Sequence, residues 1–586
     1  MVSAGIAIIG CGPRGLGLLE RLISVAAAGG QTIDVPVVEP GDLGVGMHQT
    51  DQPDYLLLNT VCSQLTAFSD YSMLGTDGLL YSGPSLFEWC RQRDIRVAAD
   101  GYRCGDTGRP VQPHDHLPRR LLGEYLAWAA ERIVAAAPPS VRITHHRQPA
   151  VRVETVDGAE RVLLADGSSL VADHAVIAVG HGHSPGPYPL PATVSDIAAG
   201  SAVALLGAGL TAMDVLAALT SGRGGTFDPR PDGRLRYTAS GEEPRVVLVS
   251  REGRPARARP RLDPGRRPLP GRHLTPERIT ELRATRPDGR LDFEVDVLPL
   301  VLAEMEYRWR TLGGAGDPPP FRDLLFGQPP AEALRGAEEH RRWYLGQVTD
   351  DLAQAQLGLP ASHLKEALEV LRDHRDVLRV AVDGGGLTES SRDWFFGRFA
   401  GVANRAVIGP QLERHQELLA LVDAGVVQFG PGPQARIEPH DERWLVSSTR
   451  LGAPAVIEVD HVVNGYSQAD PLAHPLLRTL AEAGRGRPDH PTDRRRHATG
   501  HPGRPRPLCR RPALVVRPDH RGQQLLQPLR AHPGRPLPRG HRRRRTGPAA
   551  ARPDPARPLA GRGGPPCRSP LGTSTPPGGR TTGRRR

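Results

Sequence analysis

Short apolar runs alternate with amphipathic stretches along the chain up to about residue 260. The runs are rich in Val and Ile and occupy residues 5–9, 35–38, 151–155, 175–179, 202–206 and 245–249. Continuous apolar runs that are separated by stretches with helical spacing are typical of parallel strands covered by helices on both faces. The pattern therefore predicts an α/β fold built on parallel sheets.

The periodicity changes after this region. Apolar residues recur at helical spacing in residues 298–312, 363–378 and 411–424. Short apolar runs return at residues 426–429, 435–438 and 456–463. We therefore expect a mainly helical insertion over residues 261–425 and return strands of the core over residues 426–484. The Arg-rich stretch of residues 251–272 predicts a loop, either simply solvated or able to recruit an acidic substrate.

Residues 485–586 differ from the rest of the chain in composition. They contain 26 Arg, no Lys and four acidic residues, a net charge of +22, whereas the preceding residues carry −11 of the chain's total of +11. No helical or strand period persists there, which leaves two interpretations open. The segment is either a disordered Arg/Pro-rich tail or the product of a reading-frame shift in GC-rich coding sequence. Because the basic charge is confined to this tail, we do not expect a nucleic-acid partner.

A glycine-rich turn follows the first predicted strand. The sequence G-C-G-P-R-G begins at Gly10 and leads into a helical pattern at residues 16–27. In such a turn Gly10 permits the bend, Gly12 lets a pyrophosphate approach the main chain, and Gly15 allows close packing of helix on strand. Glu39 ends the second strand, 24 positions after Gly15, near the spacing of an acid that holds a ribose hydroxyl.

A second turn of this kind follows the predicted strand at residues 202–206. Its sequence G-A-G-L-T-A carries Gly207, Gly209 and Ala212 and opens another helical pattern. The partner strand ends in Ser250 and Arg251 rather than in an acid. Because a carboxylate would repel a 2′-phosphate, whereas Ser and Arg can bind one, this ending favours NADPH over NADH.

The two turns together predict two nucleotides, an electron donor and an electron acceptor, in one chain. Flavin is the usual intermediary between hydride donors and oxygen chemistry. We therefore predict two Rossmann-like domains, with residues 1–195 as the first part of an FAD-binding domain and residues 196–260 as the first part of an NADPH-binding domain.

The remaining sequence features exclude other classes of protein. The six cysteines contain no CxxC pair and no zinc spacing, so we expect no metal site and no dithiol–flavin reductase. No stretch approaches the roughly 18 apolar residues of a membrane span, and no basic segment precedes the N-terminal apolar run. We expect a cytoplasmic protein with no membrane partner. The catalytic side chains and the oligomeric state are not determined at this stage.

The chain resembles bacterial FAD/NAD(P)-binding proteins related to the flavin-dependent N-monooxygenases, a group that includes aspartate N-oxygenases of the nitrosuccinate synthase type. Besides the two turns, the segments that carry the resemblance are residues 39–46, 51–60, 119–126 and 207–214. The similarity extends over roughly residues 1–480. The F-x-G-x-x-x-H signature of the classical multifunctional flavin monooxygenases is absent.

The resemblance implies an NADPH- and FAD-dependent monooxygenase that uses O₂ to oxygenate the amine of a small amino acid, with L-aspartate to nitrosuccinate as the example, in natural-product biosynthesis. By the motif match, Glu39 would hold the FAD ribose, Asn59 and Arg120 would lie along the flavin, and the second turn with Arg251 would hold NADPH. Two alternatives remain open: a flavin-dependent NADPH reductase or oxidase without substrate oxygenation, and a non-enzymatic flavoprotein binding module.

Overall fold

The computed structural model of the protein describes residues 4–68, 83–98, 101–180, 186–263, 266–466, 473–485 and 514–515. The strands are β1 (Ala4–Ile9), β2 (Ile33–Val38), β3 (Ile95–Ala98), β4 (Gly101–Cys104), β5 (Arg109–Pro110), β6 (Val141–His146), β7 (Ala150–Val156), β8 (Ala159–Leu164), β9 (Ser169–Ala172), β10 (His174–Ile177), β11 (Ala202–Leu206), β12 (Thr226–Pro229), β13 (Leu235–Thr238), β14 (Arg245–Val249), β15 (Val427–Phe429), β16 (Arg436–His440), β17 (Arg443–Ser448), β18 (Ala455–Val459), β19 (His461–Asn464) and β20 (Leu514–Val515).

The α-helices are α1 (Pro13–Gly29), α2 (Leu86–Gln92), α3 (Arg119–Ala135), α4 (Leu210–Leu219), α5 (Pro276–Ala284), α6 (Leu298–Thr311), α7 (Phe321–Phe326), α8 (Ala337–Leu357), α9 (His363–Asp373), α10 (Arg375–Val382), α11 (Glu389–Trp394), α12 (Ala400–Val407), α13 (Leu412–Asp423) and α14 (Pro475–Glu482). α1 illustrates the local signals, because it begins at Pro13, whose fixed φ suits a first helical position, and ends at Gly30 in a left-handed conformation.

The first sheet contains five parallel strands in the order β20-β10-β1-β2-β6. Side chains alternate between its two faces, as the period of a strand requires. Ile8, Val35 and Val37 pack under α1 and α3, whereas Ala7 and Ile9 face the antiparallel sheet β7-β8-β9 and α14. The glycine-rich turn after β1 therefore lies at the carboxyl edge of a parallel sheet buried on both faces.

The second sheet repeats this architecture with four parallel strands in the order β15-β14-β11-β19. Val203 and Leu205 pack under α4, α8 and α13. Ala204 and Val247 face the antiparallel sheet β16-β17-β18 on the opposite side. The predicted α/β fold with two Rossmann-like parallel sheets is thus confirmed.

A third hydrophobic core is entirely helical and lies between β14 and β15 in the chain. It is built mainly from α5, α6, α7, α9, α10 and α12, with Phe293 and Phe399 among its fully buried side chains. α8 and α13 fall inside the segment expected to be a helical insertion, but they pack on the second sheet. Their apolar faces therefore complete a nucleotide-binding sheet.

Several predicted elements differ in detail from the structure. The run at residues 151–155 belongs to an antiparallel sheet, because β7 pairs with β8 through a tight turn rather than crossing over to the parallel sheet. Residues 363–378 form two helices that meet at His374. Residues 456–463 form two strands that meet at Asp460. β6 was missed, since an edge strand with alternating polar residues carries a weak apolar signal.

The predicted tail, residues 485–586, lies outside the described residues except for Arg485 and β20, whose backbone pairs in parallel with β10. Among the described helices, none is long and apolar enough to cross a membrane.

Candidate functional site

The turn after β1 is shaped by two glycines for steric reasons. Gly10 has φ +86°, and a Cβ there would lie 2.6 Å from the carbonyl oxygen of Ala178, the residue that follows the neighbouring strand β10. A Cβ on Gly15 would collide with the carbonyl oxygen of Gly10. These positions therefore set the bend and the close approach of α1 to β1, as predicted from the motif.

Gly12 differs from these two because its backbone lies in the extended region at the N-cap of α1. A Cβ on Gly12 would lie 3.2 Å from the Cα and 3.8 Å from the amide nitrogen of Gly46. No described side chain caps this helix end. The main-chain amides of the first turn are thus left without a side-chain cap at the positive end of the helix dipole, which is the arrangement that an anion-binding helix start requires.

Glu39 closes the side of this turn. Its Oε2 accepts a hydrogen bond of 2.7 Å from the amide of Cys11, and its Oε1 accepts one of 3.1 Å from the amide of Gly41. The carboxylate is therefore held at the end of β2, beside the turn. Burial, together with Glu39, raises the pKa of the Cys11 thiol to about 12, so this cysteine is not a nucleophile.

The turn after β11 reproduces the first. Gly207 has φ +111°, and a Cβ there would lie 2.9 Å from the carbonyl oxygen of Gly465, which follows β19. Gly209 is extended, begins α4 without a side-chain cap from the described residues, and has no atom within 4 Å of a Cβ position. Ala212 is fully buried, and its methyl group packs towards Gly465. Open space therefore faces the amides at the start of α4.

The two halves of the molecule, which are built on the first and the second parallel sheet, share a further hydrogen bond that fixes the neighbouring strand. Asp173 precedes β10 and accepts a hydrogen bond of 2.8 Å from the amide of Gly5. Asp460 precedes β19 and accepts one of 2.8 Å from the amide of Ala202. The D-H-x-V motif at both places thus brings each return strand alongside the nucleotide strand, in equivalent register.

The two residues predicted to recognise a 2′-phosphate lie at the end of β14. The Arg251 side chain is 82% exposed, with its guanidinium 3.9 Å from the carboxylate of Glu252. The Ser250 hydroxyl donates a hydrogen bond of 2.8 Å to the carbonyl oxygen of Arg254. Arg251 can therefore turn towards a phosphate. The Ser250 hydroxyl already donates its proton within the local turn, so in this arrangement it has no proton to donate to a phosphate.

The two residues predicted along the flavin have different surroundings. Arg120 donates to both carboxylate oxygens of Asp54, to Glu124 and to the carbonyl oxygen of Tyr102. Its guanidinium is therefore engaged within the first half, and its place along the flavin stays a prediction. Asn59 instead lines a narrow cleft of about 10 Å³ between the first half and the helical core.

The cleft is lined by side chains from three parts of the fold: Asn59, Thr60, Val61, Gln64, His116, Arg259, Pro260, Leu262 and Arg372. Arg259 is 4% exposed and donates from Nη1 to the Glu369 carboxylate (2.8 Å) and to the carbonyl oxygen of Val407 (3.0 Å). Arg372 lies 3.8 Å from the same carboxylate, and its buried Nη1 has no hydrogen-bond partner among the described residues. Two guanidinium groups thus share one carboxylate, and the cleft has an excess of positive charge.

A buried hydrogen-bond network holds the segment that carries Arg259, residues 257–262, here called the strap. Asp351 accepts hydrogen bonds from Lys365 Nζ (2.8 Å), from Arg257 Nη1 (2.7 Å) and from the amide of Ala258 (2.7 Å). Lys365 also donates to the carbonyl oxygen of Ala258. Burial lowers the pKa of Lys365 to about 8 even though Asp351 favours its charged form. The strap is therefore pinned at consecutive residues, which fixes the direction of the Arg259 side chain.

Sequence reasoning missed Arg259 and Arg372 as site residues. The Arg-rich composition of residues 251–272 was the one available signal, and it was compatible with a solvated loop. No local pattern distinguishes Arg372 from other arginines on amphipathic helices, because its role depends on where α9 packs.

The residues present suit two dinucleotides. Each turn combines a strained glycine that the fold requires with a second glycine that leaves the start of a helix uncovered. Beside the first turn, His48 Nδ1 is buried without a hydrogen-bond partner among the described residues. Burial and the nearby Arg119 lower the pKa of His48 to about 4, so its ring is neutral and can accept or donate one hydrogen bond.

Residues 7–182 match the FAD-NAD(P)-binding family. The L-aspartate N-monooxygenase (nitrosuccinate-forming) of Streptomyces davaonensis is 34% identical over 570 residues, which cover 82% of this chain and 85% of that protein. The protein of the same name from Streptomyces cremeus is 34% identical, over 81% of this chain and 82% of its own length. Nitrosuccinic acid synthase npaA of Aspergillus oryzae is 32% identical, over 83% of this chain and 82% of its own length. This chain therefore belongs to the L-aspartate N-monooxygenase family and is an FAD-dependent monooxygenase.

Proposed function

We propose that this enzyme uses NADPH, FAD and O₂ to oxygenate the amine of L-aspartate. The observation that carries the proposal is the pair of equivalent strand–turn–helix units, each with an uncovered helix start, in a chain 34% identical to L-aspartate N-monooxygenases. When bound and reduced, FAD supplies the ability to activate O₂ and to transfer one of its oxygen atoms to an amine.

The first turn is proposed to hold FAD. The amides at the start of α1, reached past Gly12, would bind the pyrophosphate. Glu39 would accept from the ribose hydroxyls, because its carboxylate lies beside the turn and two short backbone bonds leave further acceptor positions. Gly10 and Gly15 would act through the shape of the turn. Asn59 and Arg120 remain the predicted residues on the flavin side.

The second turn is proposed to hold NADPH. Gly207 would shape the bend, the amides beyond Gly209 would bind the pyrophosphate, and Ala212 would keep α4 close to its strand. Arg251 would pair with the 2′-phosphate, a role that its exposed and weakly paired guanidinium permits.

The guanidinium groups at the cleft between Asn59, Arg259 and Arg372 are proposed to attract the carboxylates of the amino acid, and the cleft, about 10 Å³ in this structure, has to widen to admit them. An excess of guanidinium charge attracts carboxylates, and L-aspartate carries two. The same positive charges disfavour a neighbouring ammonium group, which lowers the pKa of the substrate amine. A neutral amine has the lone pair that oxygen transfer requires, so the cleft would bind the substrate and also prepare it for reaction.

The test is product analysis with the purified holoenzyme. We expect L-aspartate to accelerate NADPH oxidation and to yield an N-oxygenated product, whereas L-alanine and L-asparagine, which lack the second carboxylate, should not. NADPH oxidation that yields only hydrogen peroxide, at a rate independent of every amino acid, would instead indicate a reductase or oxidase.

A matched pair of variants tests the cleft. Arg372→Met should raise the KM for L-aspartate roughly 10- to 150-fold, the range for a lost charge-assisted hydrogen bond, without changing the KM for NADPH. Arg278→Met is the control, because Arg278 lies on the solvent-facing side of α5 and pairs with the exposed Glu281. Equal KM values for L-aspartate in the two variants would refute the cleft assignment.

A further inference from the structure

A buried group of charged and polar side chains joins the two nucleotide-binding halves. Asp214 lies on α4, five residues beyond Gly209, and its side chain is 6% exposed. It accepts hydrogen bonds from the guanidinium of Arg119 at the start of α3, and from the hydroxyl of Tyr188 at 2.5 Å. Tyr188 belongs to the connection between β10 and β11, so the group, here called the clamp, draws on both halves and on the segment between them.

The clamp is continuous with the segment that leads to the cleft. Arg119 donates from Nε to the carbonyl oxygen of Leu57 (3.3 Å), and its amide donates to the carbonyl oxygen of Leu56 (2.8 Å). From the second half, Gln411 donates to the carbonyl oxygen of Leu58 (2.7 Å). Leu56 is part of the core of the second half, and Leu58 is part of the core of the first. The residues immediately before Asn59 are therefore held from both sides.

A buried ion pair is weak evidence for a role in stability, since apolar packing of equal volume often stabilises as well. The clamp instead fixes the orientation of α3 relative to α4. A guanidinium over the ring of Tyr188, at 5.4 Å from its centroid, with one shared carboxylate oxygen permits one relative placement of α3 and α4. Any rotation of the second half about the first would leave Asp214 buried and unpaired.

We propose that Arg119, Asp214 and Tyr188 are positioning residues that set the register of the NADPH turn against the FAD half and the cleft. The inference rests on the proposed function for its kinetic consequence, because electrons pass from one dinucleotide to the other only when their reactive rings approach correctly. Because Gly209 is the N-cap of the helix that carries Asp214, a displacement of Asp214 would be carried along α4 to Gly209.

The experiment compares Asp214→Asn with a matched control, Glu160→Gln, in the holoenzyme. Glu160 also forms a buried pair, with side chains 5% exposed for Glu160 and 15% for Arg485, but this pair lies wholly within the first half. For each protein we would measure FAD content, amide hydrogen exchange, anaerobic reduction of the flavin by NADPH, and reoxidation by O₂ after reduction with dithionite.

For Asp214→Asn we expect full FAD content, faster hydrogen exchange in α4 and around Tyr188, and unchanged reoxidation by O₂. Reduction by NADPH should slow roughly 10- to 100-fold, the cost of a displacement of about 1 Å between reacting groups. Glu160→Gln should change none of these rates. Arg119→Lys, which keeps the charge, should slow reduction by NADPH less than Asp214→Asn does. Equal slowing of reduction and reoxidation, or unchanged exchange in α4, would overturn the proposal.

Two further outcomes remain decisive. If Asp214→Asn fails to fold, Tyr188→Phe removes one hydrogen bond only and must show the same selective loss, or the clamp has no positioning role. If NADPH does not reduce even the unaltered enzyme, the proposed function fails, whereas the hydrogen exchange of α4 still decides whether the clamp joins the halves.

Discussion

Replacing Gly209 with alanine isolates the contribution of one turn to coenzyme binding. Gly209 has φ −101° and ψ −162°, a conformation open to any residue, and a Cβ there meets no atom of the described residues within 4 Å. The protein alone therefore has room for the methyl group. The same methyl group would occupy the space through which a pyrophosphate must approach the amides at the start of α4.

The expected magnitude follows from what the methyl group displaces. A hydrogen bond to a charged phosphate contributes about 1.5 to 3 kcal/mol, so its loss should raise the Kd for NADPH roughly 10- to 150-fold. The fold itself should change little. The smaller entropy of the unfolded chain, worth about 0.4 to 1 kcal/mol, offsets the poorer N-cap that alanine provides.

Gly207→Ala provides the contrast within the same turn. Gly207 has φ +111°, and its added Cβ would lie 2.9 Å from the carbonyl oxygen of Gly465. A side chain in this conformation costs about 1 to 3 kcal/mol of stability, so this variant should lose both stability and NADPH binding. Gly209→Ala should lose only the binding.

The assay is titration of each holoenzyme with NADPH, combined with a thermal unfolding curve and the flavin absorbance spectrum. FAD content serves as an internal reference, because the first turn is unaltered. If Gly209→Ala binds NADPH as tightly as the unaltered enzyme, with the same Tm, the amides beyond Gly209 do not bind the coenzyme and the reasoning from the turn is refuted.

Three further predictions concern other parts of the molecule. Gly12→Val should abolish retention of FAD, so a yellow protein after purification would contradict the first site. Arg251→Ala should raise the KM for NADPH roughly 3- to 10-fold, a modest effect because solvent and salt screen this exposed side chain. The KM for NADH should stay unchanged. An equal rise in the KM for both coenzymes would exclude a 2′-phosphate contact. Although burial opposes it, hydrogen bonds from Tyr237 and nearby amides lower the pKa of Glu243 from 4.5 to about 2. A lowered carboxyl pKa stabilises the fold above the unfolded pKa, and this gain is lost as the pH falls towards 2. Glu243→Gln should therefore lower the free energy of unfolding at pH 7 and do so clearly less at pH 3. Calorimetry that finds the same loss at both pH values would exclude this origin.

The local sequence was sufficient for the two strand–turn–helix units. A left-handed residue such as Gly10 or Gly207 requires glycine, the strands before them are continuous apolar runs, and the helices after them have a clear period. Each of these signals acts within about 15 residues and depends on backbone sterics and side-chain periodicity alone. For this reason the α/β class and the presence of two parallel sheets could be inferred before any contact was known.

Only the tertiary structure decided which polar side chains reach the site. Arg119 and Arg120 are adjacent at the start of α3, yet Arg120 is engaged within the first half and Arg119 pairs with Asp214, 95 positions away. Likewise, Arg259 and Arg372 meet Asn59 only because the strap and α9 pack beside it. The period of a helix reveals which face is buried, but the partner of a charged group depends on the rotation and translation of whole elements. That placement arises from packing between segments hundreds of residues apart, for which a single sequence carries no local signal.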